Sequence, residues 1–256
     1  SWAGRVDAVA LDLDADEQAF NAAAKGVACM VHCAGTPGPA PADLSAYEAG
    51  TRALARAARD QRVERVILLS TVAVCGSARP SEIDSATPVA PDSPYGASRV
   101  RAEVFCAEAL AGSATALAVV RIPAVVGAGM TGTMLERFFR SLCYGVFLHP
   151  GNRQASLACI GVHRLARCLT GLAFLPANKL PAVCQFADNI PWTELVAAYE
   201  QVAGRKVLRL PFPGQLAKAL AHRAGLTALH TPLQVLDNQT IYADDAEELG
   251  LESPAG

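Results

Sequence analysis

Apolar residues fall in short runs, separated by stretches in which they recur at helical spacing. Val6 to Leu11 is the first run and ends in Asp12-Leu13-Asp14, after which a helical pattern reaches about Lys25. Val27 to Cys33 reads as a buried strand closing on Ala34-Gly35, and TPGPAPAD is a loop by its proline and glycine content. Asp43 is placed to cap a long helix running to about Asp60. Val66 to Leu69 is the next strand and ends in Ser70 and Thr71. A polar loop from Ala78 to Pro94 follows, and Ser93-Pro94 starts the helix that carries Tyr95. Val119 to Ile122 is another strand, ended by Pro123. Strands alternating with helices at this spacing predict an α/β protein with a doubly wound, Rossmann-like parallel sheet.

Beyond Gly127 the pattern loosens. MLERFFRSLCYG and GVHRLARCLTGLA read as amphipathic helices, and Val183 to Ala187 as a late strand. PWTELVAAYEQVAG reads as a helix with Pro191 in its first turn. The remainder, with PFPG and a final DDAEELG helix, reads as small C-terminal elements.

Composition narrows the class. The 256 residues carry a formal charge of −2, which gives no reason to expect a nucleic-acid partner. No apolar run reaches the roughly 18 residues that span a bilayer, and Asp7, Asp12 and Asp14 interrupt any leader-like stretch. The eight cysteines form no CxxC pair. Cys29, Cys33, Cys159 and Cys184 lie in or beside apolar runs, as small core residues of a reducing cytoplasm would. His149, His163, His222 and His230 lack ligand-like spacing, so no metal site is expected. His32, in mid-strand, reads as a satisfied core histidine, and Leu142 to Leu148 as core or a wall of the substrate region.

The densest chemistry lies between Arg65 and Glu103. RVILLSTVAVCG ends a strand in Ser70-Thr71, and Tyr95-Gly96-Ala97-Ser98-Arg99 then opens a helix that closes on Glu103. This segment resembles the active site of the extended short-chain dehydrogenase/reductases, the NAD-dependent epimerase/dehydratase family, whose motif is Tyr-Gly-x-Ser-Lys-x-x-x-Glu. Every element matches except the lysine, which here is Arg99. The resemblance extends to Asp12-Leu13, like the pair beside the adenine ring, and to Ala34-Gly35, like the turn after the fourth strand. It also takes in Gly50-Thr51, Arg121-Ile122-Pro123 through Gly127, whose exit would pass the nicotinamide, and the closing stretch from Ile241 to Gly250.

The resemblance implies a nucleotide-binding core over 1–126 and a small substrate-binding part over 127–256, with some segments of the latter returning to the core. It implies NAD or NADP as cofactor, held by Asp12, Leu13, Ala34, Gly35, Ser70, Tyr95, Arg99, Ile122 and Pro123. Thr71, Tyr95 and Arg99 would be catalytic. The substrate would be a sugar nucleotide or another small alcohol or ketone, and a homodimer would form through helices including that of Tyr95, where Val100, Val104 and Cys106 are compatible with a contact.

The chemistry explains why these residue types are needed. Hydride transfer at a carbinol carbon requires a proton to leave or join its oxygen. An ordinary tyrosine is a poor base at neutral pH, and a cation one helical turn away favours its phenolate. Thr71 would hold the substrate oxygen. Arg99 can supply charge and ribose donors, although its planar fork needs more room than an amine and it does not relay protons. A solvated Arg99–Glu103 pair at i,i+4 is the bland alternative.

Other positions depart from the family pattern. Tyr47 takes the place of a helix asparagine, Cys75 that of the tyrosine in Val-Tyr-Gly, and His163-Arg164 that of an acidic pair. The sequence contains no Gly-x-x-Gly-x-x-Gly turn to hold a pyrophosphate. In the sheet order 3-2-1-4-5-6, a core without its first two strands would leave apolar edges unpaired. Either an upstream segment carries the turn, which is the favoured expectation, or the sheet closes differently. A catalytically degenerate member serving as a binding or scaffold subunit is the competing reading.

Overall fold

A computed structural model describes residues 9–35, 44–76, 81–130, 134–149, 155–211 and 240–251. In chain order these form α1 (Glu17–Ala24), β1 (Cys29–His32), α2 (Leu44–Asp60) and β2 (Arg65–Thr71), followed by a 3-10 turn at Val72–Cys75. β3 (Glu82–Ile83), α3 (Pro94–Leu110), β4 (Ala116–Ile122), β5 (Ala124–Val126), α4 (Met134–Cys143) and β6 (Val146–His149) come next. β7 (Ser156–Gly161), α5 (Val162–Phe174), β8 (Val183–Gln185), β9 (Asp188–Pro191), α6 (Trp192–Ala203), β10 (Leu208–Pro211) and β11 (Ile241–Tyr242) complete the set.

The central sheet runs β1-β2-β4-β8, with every pairing parallel. Side chains alternate across a strand, and β2 uses that period to fill two cores. Val66 and Leu68 face Phe20 and Ala24 of α1, Ala55 and Ala58 of α2, and Cys106 and Leu110 of α3. Ile67 faces the other way, with Ala118, Val120 and Ile122 of β4, onto Leu165, Cys168, Leu169 and Leu172 of α5. Helices thus cover both faces, which is why the strands read as continuous apolar runs. The small side chains of α2 allow it to lie close to the sheet, where Ala55 and Ala58 are fully buried.

Beyond β4, segments alternate between the core and a smaller part. β8 joins the edge of the central sheet through Val119↔Val183 and Arg121↔Gln185. β5, β7 and β9 form a separate mixed sheet, and β6 and β10 pair on their own. Leu142, Phe147, Leu157, Trp192 and Val196 make the core of this part, so the Leu142–Leu148 cluster is packed interior at its buried members.

Four expectations are corrected. Residues 9–12 form no strand; Val9 is exposed, and among the described residues no strand lies beside them to pair with their backbone. Residues 6–8 lie outside the described residues, as do Asp43 and most of PFPG. Pro191 ends β9 in an extended conformation and caps α6 from outside, so the helix begins at Trp192. DDAEELG makes a single turn, because Gly250 at φ 67 reverses the chain and the Leu251 amide closes back on the Ala246 carbonyl at 2.9 Å. The eight cysteines form no disulfide; Cys159 and Cys184 are buried and Cys29 partly so, whereas Cys33, expected as a core residue, stands exposed past the end of β1.

Candidate active site

The register of the parallel strands decides what meets at their carboxyl ends. His32 pairs with Leu68, and Thr71 pairs with Ile122. Ala34-Gly35, Ser70-Thr71 and Ile122-Pro123 therefore emerge along one rim, where open α/β sheets bind their ligands.

Tyr95 reaches this rim through the start of α3. The Ser93 hydroxyl accepts the Gly96 amide at 3.1 Å, and Pro94 occupies the first helical position, where its missing N–H is not needed. A Cβ on Gly96 would fall 2.6 Å from the Ala73 carbonyl oxygen. Glycine at this position lets the first turn of α3 rest on the 3-10 turn that follows Thr71. That turn is capped in its own right, because the Thr71 hydroxyl accepts the Ala73 amide at 3.2 Å. Tyr95, 39% exposed, and Thr71, partly buried, thus flank a shared anchor at Ala73 of that turn.

Arg99 lies one turn into α3 and is only 8% exposed. Its Cζ sits 4.0 Å from the Tyr47 ring centroid and 5.1 Å from that of Tyr95. One guanidinium nitrogen donates to the Ala34 carbonyl at 3.5 Å, and the other would lie 2.3 Å from a Cβ on Gly35. The cation therefore covers the Ala34-Gly35 turn. The bland pairing with Glu103 is not formed. Glu103 instead makes a buried bidentate pair with Arg121 of β4, at 2.9 and 3.3 Å, and accepts the Ser70 hydroxyl at 2.5 Å.

A second polar layer supports the cation from below. His32 stacks on Tyr47, with centroids 5.7 Å apart and planes 11° from parallel. The Thr51 hydroxyl donates to the Tyr47 carbonyl at 2.7 Å, so its oxygen accepts Nε2–H of His32 at 2.8 Å. Burial, with Arg99 close by, lowers the His32 pKa from 6.5 to about 4. Burial pushes the Tyr47 phenol up against the opposing pull of the Arg99 charge, and its hydroxyl has no hydrogen-bond partner among the described residues.

The expected residues thus divide into groups. Thr71, Tyr95, Arg99, Ala34 and Gly35 converge at the rim. Ser70 lies beside them with its proton committed to Glu103, which leaves only an accepting role toward a ligand. Ile122 is packed in the core under α5, so only its backbone and Pro123 face outward. Asp12 is exposed, and Leu13 is seated against Gly50 of α2, where a Cβ would fall 2.6 Å from the Leu13 carbonyl. Glu103, Arg121, His32 and Thr51 were not singled out for the site; an arginine inside the apolar run ALAVVRI was the available signal, since a charge buried in a strand needs a partner.

The described rim thus holds a half-exposed phenol, a hydroxyl at the strand end and a guanidinium over a glycine turn, donors whose chemistry is compatible with a nucleotide ligand. The NAD dependent epimerase/dehydratase family model matches residues 3–149, and the chain belongs to that family. Its members are enzymes. Solved structures of similar fold include UDP-glucuronic acid 4-epimerase from Bacillus cereus in complex with NAD, at 16% identity over 82% of this chain and 70% of that one, TM-score 0.68. L-threonine dehydrogenase from Phytophthora infestans is 19% identical over 97% of this chain and 81% of that one, TM-score 0.72. TunA, an NAD dependent NDP-hexosamine 5,6-dehydratase, is 20% identical over 95% and 76%, TM-score 0.66. No curated protein sequence matches.

Proposed function

We propose that the chain works on a secondary alcohol or ketone, in a sugar nucleotide or a comparable small molecule, as an NAD-dependent oxidoreductase or epimerase/dehydratase. The observation that carries this reading is the common anchoring of Tyr95 and Thr71 on the turn at Ala73. The nicotinamide, when bound, supplies the hydride donor or acceptor. Thr71 orients the substrate oxygen, Tyr95 takes or gives the proton at that oxygen, and Arg99 offers guanidinium N–H groups and charge to the ribose side. Asp12 and Leu13 face the adenine end. The family's dependence on NAD favours NAD over NADP. No described helix is long and apolar enough to cross a membrane. The reading extends to a cytoplasmic setting, with which eight cysteines that form no disulfide are consistent, and to a homodimer through α3, supported by exposed Val104.

Tyr95→Phe tests the reading, with UDP-sugars and small alcohols assayed by NAD reduction or product analysis. Turnover is expected to fall by roughly 10²–10⁴-fold with an unchanged circular dichroism spectrum. Turnover equal to the parent would remove Tyr95 from the role, and binding of NADH without turnover by the parent itself would favour a scaffold subunit.

A further inference from the structure

Arg99 is a buried cation without a carboxylate partner among the described residues, since Glu103 is taken by Arg121. Its hydrogen bond to the Ala34 carbonyl is long, at 3.5 Å. Beside that bond, the guanidinium lies over the face of Tyr47, with Cζ 4.0 Å from the ring centroid. A planar cation that is short of hydrogen bonds takes its orientation from the surface it lies on.

Tyr47 is itself firmly set. It comes from the first turn of α2, is 2% exposed, stacks on His32, and gives its carbonyl to the Thr51 hydroxyl that His32 also binds. Among the described residues its own hydroxyl has no hydrogen-bond partner, although Arg99 and Thr51 lie near enough to pull the phenol's pKa down against burial. A buried phenol oxygen without a partner is unfavourable, so among these contacts the hydroxyl gives no reason for tyrosine at this position. The ring does.

We propose that Tyr47 is a positioning residue whose ring holds the Arg99 guanidinium flat over the Ala34-Gly35 turn, so that the two residues read the cofactor ribose as one unit. The inference rests on the cofactor-holding role given to Arg99 above. It states that an aromatic shelf on α2 and an arginine on α3 belong together, and that either one is poorly replaced while the other stays. Lysine at position 99, with a flexible stem and a compact charge, would not need the shelf.

A double-mutant cycle with NADH binding as the readout tests this, using fluorescence titration of the full chain and the apo melting temperature of each variant as the check on folding. Tyr47→Met keeps apolar volume and removes the π face; it should weaken NADH binding about tenfold, the size of a desolvated cation–π contact. Tyr47→Phe should restore affinity to within about twofold of the parent. In an Arg99→Lys background, Tyr47→Met should change affinity by less than about threefold. Equal losses in both backgrounds, or no loss in either, would overturn the proposal. Should Tyr47→Met fail to fold, Tyr47→Leu, which also lacks a π face, enters the same cycle under the same criteria. Arg99→Ala separates the two levels: unchanged NADH affinity in that variant refutes the role of Arg99 itself, whereas a loss there with none in Tyr47→Met refutes only the shelf.

Discussion

Acidification should unfold this protein partly through His32. The imidazole is 4% exposed, and its pKa falls from 6.5 in the open chain to about 4 in the fold, because burial disfavours the cation and Arg99 repels it. The unfolded chain therefore takes up the proton first. Stability from this group is complete above about pH 6.5 and is lost as pH falls through about 4. With those two values the loss is about 2 kcal/mol at pH 5, approaching roughly 3 kcal/mol in stronger acid. The hydrogen-bond pattern points the same way. Nε2–H already donates to Thr51, so a second proton must go on Nδ1 within the field of the Arg99 charge. Urea denaturation at pH 7 and pH 5, on the parent and on His32→Gln, isolates this contribution, because carboxylates that also lose stability in acid are common to both proteins. The parent should lose about 2 kcal/mol more than the variant across that interval. Arg99→Met should narrow the difference by relieving the repulsion. Identical losses in the parent and His32→Gln would show that His32 charges as readily in the fold as in the open chain, and the buried neutral stack would be wrong.

Two further outcomes follow from close contacts. Glu103→Ala leaves Arg121 buried without its carboxylate and should destabilise the fold by about 3–5 kcal/mol in urea, much of it recovered in Glu103→Leu/Arg121→Met; a loss under about 1 kcal/mol would mean that water reaches the pair. Gly50→Ala should weaken NADH binding measured by calorimetry, because the new Cβ would sit 2.6 Å from the Leu13 carbonyl and unseat the Asp12-Leu13 segment. Unchanged affinity would detach that segment from the cofactor.

Much of the core was legible because its signals are local. Ser93-Pro94 starts α3 by capping and by the fixed φ of proline, and the apolar runs of β2 and β4 are buried on both faces. What was not legible depends on contacts between distant segments. An i,i+4 rule offers Glu103 to Arg99, but the register of β4 brings Arg121 to it first, and Tyr47 then receives Arg99. The run ending at Leu11 has a strand's composition, yet strand structure requires a neighbour as well as a composition. The site was legible as a set of residues, and its second layer of His32, Thr51 and Tyr47 was not, because stacking leaves no periodic trace in a sequence.

One contact sets an order of events. The loop that connects Thr71 to Tyr95 includes β3, and β3 pairs with β11, through Ile241↔Glu82 and Tyr242↔Ile83. Gln185, fully buried, ties the same place together by donating to the carbonyls of Ile83 and Ala243, and Asp245 returns to its amide. Arg164 adds a clasp between Asp188 and Asp244. A growing chain displays Thr71 and Tyr95 early, but the strand that fastens the loop between them is synthesised much later. Until then the turn at Ala73 alone relates the two residues, and the loop between them is untied, so a nascent or C-terminally clipped chain would have its sheet before that loop was fastened.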